Sequence, residues 1–365
     1  MITANYISKL LPQDMLERFT DISHDFLMVC AKMLENKEVM RYWRTNRYKA
    51  NEWLMIELEK AQNKHWNKKA LRELKNTFEV TAQKSLSQDE ALYQRAYEVG
   101  ALPHKPAAIA ESALLEERIG RGYITLEAAL NAALLTGTQT TLVVLNKAVS
   151  AVSIGEEAID AAIRESINEI ARQGITGHLM RNGKTLELGA YVRREVTTGV
   201  MNVTRELSFL RAEEWGSDLI QVSAHAAARP LCFPYQGQIY SLSGKHERFE
   251  PLASTSYGEI AGLFGINCRH VFWPWFEGLN DEYTSEQQDP AKYELGIDNN
   301  TLYEQTQKQR YNERQIRAWK RRANELEESG IDNSRARKKV KYWQTRQRSF
   351  LKDLTLRRDY TREAA

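Results

Sequence analysis

The sequence predicts a predominantly helical α+β protein, with a helical N-terminal part, a small central α+β module of short antiparallel strands, and a basic C-terminal helical hairpin. Apolar and aromatic residues recur at helical intervals over most of the chain. Short runs rich in β-forming residues, bounded by Pro and Gly, lie between about residues 218 and 274. A chain of 365 residues exceeds the size at which one hydrophobic core stops growing. We therefore expect four regions: residues 1–105 and 106–217, both helical; 218–300, containing the strands; and 301–365, the hairpin.

Composition indicates a folded protein of a reducing compartment. The apolar share is 42%, and 8 Trp and 16 Tyr argue against a disordered chain. Three cysteines are too few for a disulfide framework, and the N-terminus lacks the basic-then-apolar plan of a signal peptide. Polar side chains such as Asn131 and Lys147 interrupt residues 126–154, so we expect a buried helix there and no membrane contact.

Residues 1–105 have the pattern of an amphipathic helical bundle. The favoured interpretation places its aromatic residues in the core, and the alternative is an exposed aromatic face that docks on a larger partner. Two prolines within residues 102–106 predict a break in the helical pattern. The apolar positions are Met15, Phe19, Phe26, Leu27, Met28 and Met33, followed by the aromatic positions Tyr42, Trp43, Trp53 and Trp66.

Residues 106–217 continue the helical pattern. Residues 156–172 form one predicted helix that ends at Gly174. A turn is predicted at residues 180–184, and a further helix over residues 186–210 contains the pair Arg193-Arg194. The apolar side of the first of these helices comprises Ala158, Ile159, Ile163, Ile167 and Ile170.

The pattern changes to short strands after residue 218. Residues 219–222, 238–242 and 271–273 are rich in β-forming residues and are bounded by Pro and Gly. Residues 278–300 are polar and acidic, and they are expected to form a loop.

Residues 222–278 also concentrate reactive side chains, for which two chemical interpretations are open. Cys268 could attack as a nucleophile with His225 or His270 as its base, because imidazole stabilises a thiolate. Alternatively, His225, Cys232, Cys268 and His270 supply a Cys2His2 set suited to zinc, although their spacing is not the usual short-loop pattern.

The favoured interpretation of the same segment is structural. Glycines adopt backbone angles that other residues avoid, arginine and asparagine side chains bond loop carbonyls, and a buried cysteine behaves as a small apolar residue. We therefore expect no catalytic residue, no bound metal and no cofactor. The predicted structural core comprises His225, Arg229, Pro230, Gly237, Tyr240, Gly258, Gly262, Gly265, Asn267, Cys268, Arg269 and His270.

The tail differs from the rest of the chain in its net charge. Residues 301–365 contain 18 Lys and Arg against 9 Asp and Glu, whereas the remainder has a net charge of −6. An apolar stripe of Ile316, Trp319, Ala323 and Leu326 ends at Gly330, and Asp332-Asn333 offer capping oxygens for a second arm. That arm carries the stripe Val340, Trp343, Phe350 and Leu354. The candidate DNA-binding cations are Arg314, Arg317, Lys320, Arg321, Arg322, Arg335, Arg337, Lys338, Lys339, Lys341, Arg346 and Arg348.

The order and spacing of these motifs resemble one family of proteins. Val222-Ser223-Ala224-His225 is followed by Ala228-Arg229-Pro230, Gln236-Gly237, Tyr240-Ser241-Leu242, Tyr257-Gly258, Gly262-Leu263, Gly265, Asn267-Cys268-Arg269-His270, Pro274 and Gly278. From about residue 156 onward the chain resembles the phage minor capsid protein 2 family, related to Mu F-like head-morphogenesis proteins. It departs from the family pattern at Leu231-Cys232-Phe233, where relatives carry a more polar stretch, so a metal role for Cys232 is not expected to be shared across the family.

The resemblance implies a low-copy structural component of the phage head, present in the virion and, during assembly, in the host cytoplasm. It implies portal protein and other capsid or procapsid proteins as partners, several copies per particle, and a connection with DNA packaging or delivery. No catalytic residue of the family carries over. The basic tail adds non-specific contact with double-stranded DNA as an expectation, while a charged hairpin packed on a neighbouring subunit is its alternative. A Cys/His-dependent enzyme or effector carried in the virion, and a host nucleic-acid-binding protein, remain the other functional hypotheses.

Overall fold

The computed structural model describes residues 13–109, 112–153, 159–173, 176–179 and 185–363. These residues form a predominantly helical α+β structure, which confirms the predicted fold class. The helices are α1 (Gln13–Glu35), α2 (Lys37–Thr45), α3 (Arg47–His65), α4 (Lys68–Glu98), α5 (Ala113–Ser153), α6 (Ile159–Gln173), α7 (Leu188–Trp215), α8 (Ser285–Gln288), α9 (Pro290–Leu295), α10 (Asn299–Glu328) and α11 (Ser334–Leu351). The strands are β1 (Thr176–Leu179), β2 (Thr185–Glu187), β3 (Leu219–Val222), β4 (Ile239–Ser241) and β5 (Phe272–Pro274).

The described chain divides into two compact units. One comprises residues 73–127 and 194–307, and the other comprises residues 13–72, 128–193 and 308–363. In the first unit, β3 lies at the centre of an antiparallel sheet of order β4-β3-β5. Ile220 is paired with Tyr240 on one side and with Pro274 on the other. The three central strands therefore lie where the sequence predicts them.

A second part of the first unit forms around α7 and α4. Trp215 is fully buried and stacks on Tyr93, with ring centroids 5.6 Å apart. Beside it, the buried Arg211 guanidinium donates to both carboxylate oxygens of Glu90 and to Glu214 at 2.6–2.9 Å. This end of α7 is thus held by both aromatic packing and a buried ion network.

The second unit packs α1 against α3. Asn36 and Asn46 cap α2 and α3, because their side chains accept hydrogen bonds from first-turn amides. Phe19 packs on Trp66 with ring centroids 4.9 Å apart, and His65 Nε2 bonds Asp25 Oδ2 at 2.8 Å. The N-terminal apolar pattern therefore builds a helical core.

The N-terminal aromatic residues divide between the core and the surface. Trp43 and Trp66 are buried, whereas Tyr42 and Trp53 are more than 40% exposed. The apolar positions Phe19, Phe26, Leu27 and Met33 are buried and Met28 is half-buried; the side chain of Met15 lies outside those described.

The predicted helical boundaries of residues 106–217 hold in outline. The break at residues 102–106 falls between α4 and α5, and the two predicted helices correspond to α6 and α7. Ala158, Gly174 and the turn at 180–184 lie outside the described residues, as do the side chains of Ile159, Ile163 and Ile170. The antiparallel pair β1-β2 was not predicted.

The prediction of a loop over residues 278–300 was wrong in part, because α8 and α9 lie there. Thr284 and Gln287 form a reciprocal capping box at α8. Asp289 caps α9, Pro290 follows in its first turn, and Gly296 ends it in the left-handed conformation at φ 66°. These capping residues are start and stop signals for helices. The sequence interpretation gave more weight to the polar composition of the segment and therefore predicted a loop.

The C-terminal hairpin has the predicted arms, α10 and α11. Gly330 turns the chain at φ 65°, and a buried hydrogen bond joins Asn312 Nδ2 to Gln347 Oε1 at 3.0 Å. Asp332 accepts from the Ser334 amide as expected, whereas Asn333 donates to Ala323 O instead of capping α11.

The two predicted stripes of the hairpin differ in burial. In α10, Ile316, Ala323 and Leu326 are buried and Trp319 is half-buried. Every member of the second stripe is half-buried: Val340, Trp343, Phe350 and Leu354. The predicted apolar stripe is therefore more deeply buried in the first arm than in the second, whose buried residues are Ala336 and Gln347.

One long apolar helix departs from the sequence expectation. Within the described residues, Ala113–Ala148 of α5 is long and apolar enough to cross a bilayer, and its most apolar 18-residue window has a mean hydropathy of 1.4. Of its most apolar window, 39% is buried. This result depends only on the length and composition of the helix, and a helix in the core of a folded protein meets the same criterion.

Candidate functional site

The central sheet brings together two motifs that lie about 45 residues apart in the sequence. Val222 of β3 pairs with Phe272 of β5, and the pairing continues beyond the strands, since the Ser223 amide donates to Val271 O at 2.8 Å. The residues after β3 therefore lie beside the residues before β5. As a result, the His225 and His270 rings stack with centroids 4.5 Å apart.

A glycine-rich loop, residues 256–267, leads into the second motif. A Cβ on Gly262 would lie 2.0 Å from Ser256 O, and one on Gly265 would lie 2.5 Å from Ile260 O, so neither position accommodates a side chain. Phe264 and Asn267 both adopt the left-handed conformation, at φ 61° and 58°. The tight path of this loop presents Cys268 and His270 to the sheet.

The two motifs and the turn after Arg229 meet at a buried cluster, which we call the Cys–His cluster: Cys232, Cys268 and His270. One ligand atom from each residue, the two Sγ atoms and one imidazole nitrogen, lies within 4.8 Å of the others. Cys268 Sγ lies 3.4 Å from His270 Nδ1 and accepts the Phe264 amide at 3.1 Å. Three of the four zinc candidates are thus together, while His225 is stacked on the outside of the His270 ring.

Gln236 determines which His270 nitrogen carries the proton. The Gln236 side-chain amide donates to Gln288 O at 2.8 Å, which fixes its Oε1 atom as an acceptor. That oxygen accepts from the His225 amide at 3.2 Å and lies 3.0 Å from His270 Nε2. His270 Nε2 must therefore be the donor, and in the neutral ring Nδ1 keeps a free lone pair directed at Cys268.

Arg205 of α7 is the principal site residue that the sequence interpretation missed. It is 5% exposed and donates to three backbone carbonyls, those of Phe264, Cys268 and His270, at 2.7–3.4 Å. Burial lowers its pKa to about 10, so the guanidinium stays charged at neutral pH. The signal was present in the sequence: a cation within the apolar face of a helix, between Met201 and Phe209.

The electrostatics of the Cys–His cluster favour one thiolate. A hydrogen bond from the Cys232 thiol lowers the pKa of Cys268, burial opposes this, and the charge of the Arg205 guanidinium adds to the lowering. The same hydrogen bond and burial raise the pKa of Cys232. Burial lowers the pKa of His225 to about 4, so that ring is neutral at physiological pH.

The nucleophile hypothesis gains no support from this geometry. Cys268 is 4% exposed and His270 is 1% exposed. A thiol and a base this deeply buried cannot contact a substrate in this conformation, whereas an attacking group must lie within hydrogen-bond reach of its base and of the substrate together.

The remaining predicted core residues have local contacts. Arg229 Nη2 donates to Ile266 O at 2.9 Å, as expected for an arginine that bonds loop carbonyls. Tyr240 Oη donates to Tyr235 O at 3.3 Å, and Gly237, at φ 73°, lies against Gln288. Pro230 and Arg269 are exposed.

The DNA-binding candidates divide between the two arms of the hairpin. On α10, Arg317 donates to Arg362 O and Arg321 pairs with Glu187, each at 2.5 Å. Arg322 stacks on Trp319 with 4.6 Å between guanidinium and ring centroid, Lys320 is half-buried, and Arg314 is exposed. These contacts engage three of the five α10 candidates within the protein.

The α11 cations face solvent. Arg335, Arg337, Lys338, Lys339, Lys341, Arg346 and Arg348 are all exposed. Arg337 pairs with Glu327 at 2.5 Å; the other six form no ion pair within 4 Å with a described residue. Lys338, Lys341 and Arg346 line one open cleft together with Tyr342, Thr345 and Ser349. The structure therefore provides a cationic surface on one helix of the predicted two.

Comparison with known proteins agrees with the resemblance of the motifs. The sequence model of the family described as phage minor capsid protein 2 matches residues 3–352. A structural protein of Lactococcus phage LL-H is 28% identical over 276 residues, which cover 71% of this chain and 72% of that protein. A structural protein of Lactococcus phage mv4 is 35% identical over 123 residues, which cover 32% of this chain and 94% of that protein. No solved structure matches the chain significantly.

Proposed function

Because this chain belongs to the phage minor capsid protein 2 family and is therefore a structural protein of the virion, we propose that it contacts DNA phosphates in the head through helix α11. We further propose that it is assembled in the host cytoplasm in several copies per particle, next to the portal and other procapsid proteins. The observation that carries the DNA proposal is the exposed cationic surface of α11.

The chemistry of α11 suits a nucleic-acid backbone. The helix contains seven Lys and Arg and no Asp or Glu. Its cleft adds Thr345 and Ser349, whose hydroxyls can donate to phosphate oxygens, and the exposed ring of Tyr342. Base-specific recognition is not expected, because these groups form a charged surface without a groove-reading geometry.

The affinity should depend steeply on salt. If about five α11 cations met phosphates, the logarithm of the affinity would fall with the logarithm of salt concentration at a slope near −4.5. Binding would then weaken roughly 500-fold between 50 and 200 mM salt.

We expect the triple variant K338Q/K341Q/R346Q to lose most of this salt dependence. Removing three phosphate contacts lowers the slope by about 2.7, so the same salt change should weaken binding only about tenfold. Fluorescence anisotropy with duplexes of unrelated sequence measures both slope and affinity. The control K32Q/K49Q/K68Q removes equal charge from exposed positions on other helices, and it should retain the wild-type slope. Equal slopes for the tail variant and the wild type would refute DNA contact through α11.

A separate surface supports the proposed contact with capsid proteins. Tyr48, Trp53 and Ile56 on α3 are all more than 40% exposed, on the face opposite the buried Ala50 and Leu54. Exposed aromatic residues are enriched where one protein docks on another.

We expect Y48S/W53S to reduce incorporation into particles by about tenfold, since the loss of two aromatic contacts weakens docking by at least 1.4 kcal/mol. Mass spectrometry of purified virions and empty procapsids gives the ratio of this chain to the portal protein. The variant Y293S, which changes an exposed tyrosine on α9, should incorporate normally. Normal incorporation of Y48S/W53S would reject α3 as the docking surface without affecting the DNA proposal.

A further inference from the structure

We propose that the Cys–His cluster binds one zinc ion, with Cys232 Sγ, Cys268 Sγ and His270 Nδ1 as its three protein ligands. The ion would join two segments of the chain: the turn after Arg229, which carries Cys232, and residues 268–270, which lie between the glycine-rich loop and β5. The inference concerns the central module alone and does not depend on the proposed DNA or capsid contacts.

The distances between the ligand atoms fit tetrahedral zinc. Zinc lies about 2.3 Å from sulfur and about 2.0–2.1 Å from imidazole nitrogen, which places ligand atoms roughly 3.3–3.8 Å apart in a tetrahedron. Cys268 Sγ and His270 Nδ1 are 3.4 Å apart. Since all three ligand atoms lie within 4.8 Å of one another, a shift of well under 1 Å per side chain would complete the geometry.

His270 is already held in the tautomer that a metal requires. Its Nε2 proton is donated to Gln236 Oε1 at 3.0 Å, and Gln236 is itself fixed by Gln288 O. A histidine ligand usually donates its second ring nitrogen to such an oxygen, which orients the ring and leaves the other lone pair for the metal. Gln236 therefore acts as a positioning residue for His270.

The surroundings of Cys268 suit a metal-bound thiolate. The Phe264 amide donates to its Sγ at 3.1 Å, and such a bond offsets part of the negative charge on sulfur. The Arg205 guanidinium bonds the backbone carbonyls on either side, Phe264 O and His270 O. The loop that carries the thiolate is thus fixed in place before any ion arrives.

Both cysteines would bind zinc as thiolates, so any proton that either thiol still holds would be released to solvent. Three protein ligands leave one tetrahedral position, which a water molecule can fill.

The first test uses the full chain purified under reducing conditions. We expect one zinc per chain by mass spectrometry of the metal content. After removal of the metal by chelator, Co²⁺ should give the visible bands of a tetrahedral site and a thiolate-to-cobalt charge-transfer band. Neither result depends on a variant that must fold. Absence of stoichiometric zinc together with absence of the thiolate–cobalt band would overturn the proposal, and so would a Cys232–Cys268 disulfide in the purified chain.

Variants then identify the ligands by competition with a chromophoric chelator. C232S and C268S should each weaken zinc affinity more than about 100-fold, while Q236A should weaken it about 10–100-fold through the orientation of His270. Q236E keeps an acceptor for His270 Nε2 but loses the donor to Gln288 O, so it should recover only part of the affinity. The matched control C30S changes a buried cysteine of the other unit and should bind zinc as the wild type does. Equal affinities for C30S, C232S and C268S would exclude the proposed ligands.

Discussion

Replacement of Arg211 by Met is expected to lower the free energy of unfolding by about 3 kcal/mol, since it leaves two carboxylates next to each other without their shared cation. The guanidinium is 1% exposed and makes three hydrogen bonds of 2.6–2.9 Å to Glu90 and Glu214. These bonds raise the pKa of Arg211 although burial lowers it. The value lies at the lower end of the range for buried pairs, because the Glu90 and Glu214 side chains are 19% and 26% exposed.

Amide hydrogen exchange in residues 205–215 measures this effect locally, and denaturant unfolding measures it for the chain. The double variant R211M/E90Q should recover at least about 1 kcal/mol, because it removes one unpaired charge while keeping an acceptor for Trp215 Nε1. The control R337M breaks an ion pair whose members are both 56% exposed and should change stability by less than about 0.5 kcal/mol. Equal losses for R211M and R337M would show that the buried network contributes nothing beyond a surface pair.

Local patterns were sufficient to predict most elements of the fold. Helical spacing located α1, α7 and α10, and the β-forming runs located β3, β4 and β5, because burial of one face imposes its own period on the sequence. The prediction failed for short elements, because a few residues do not show which face of a strand or helix is buried. The strands β1 and β2 have seven residues in total, and α8 and α9 have four and six residues. In such short elements capping residues are the stronger signal.

The site was predictable in its members but not in its geometry. Sequence reasoning identified Cys232, Cys268 and His270 as chemically able residues, yet it could not separate them from His225. That separation depends on strand register, which places His225 against the face of the His270 ring instead of among the ligand atoms. The basic tail shows the same limit. Arg321 and Lys341 are both basic residues of predicted helices, so the sequence does not distinguish them, but only Lys341 is exposed.

Arg205 illustrates a further gap, because its function depends on backbone groups about 60 residues away. A carbonyl has no sequence signature, so an arginine that bonds three carbonyls cannot be paired with its partners before the loop is folded. Arg229 was expected to bond the loop and does so, but through one exposed hydrogen bond to Ile266 O. The two arginines therefore allow a direct comparison of a buried and an exposed contact to the same loop.

We expect R205M to destabilise the central module by about 4 kcal/mol and R229M by less than about 1 kcal/mol. Three buried carbonyls lose their donor in R205M, and each unsatisfied group costs about 1–3 kcal/mol, whereas the Ile266 carbonyl in R229M can bond water. Limited digestion with chymotrypsin should cleave R205M near Tyr257 and Phe264 at protease concentrations that leave R229M and the wild type intact. Denaturant unfolding should give the same order of stability. If R205M and R229M were equally stable and equally resistant, the buried guanidinium would be dispensable, and the glycine-rich loop would have to be held by its own turns and by the packing of Phe264 and Phe272.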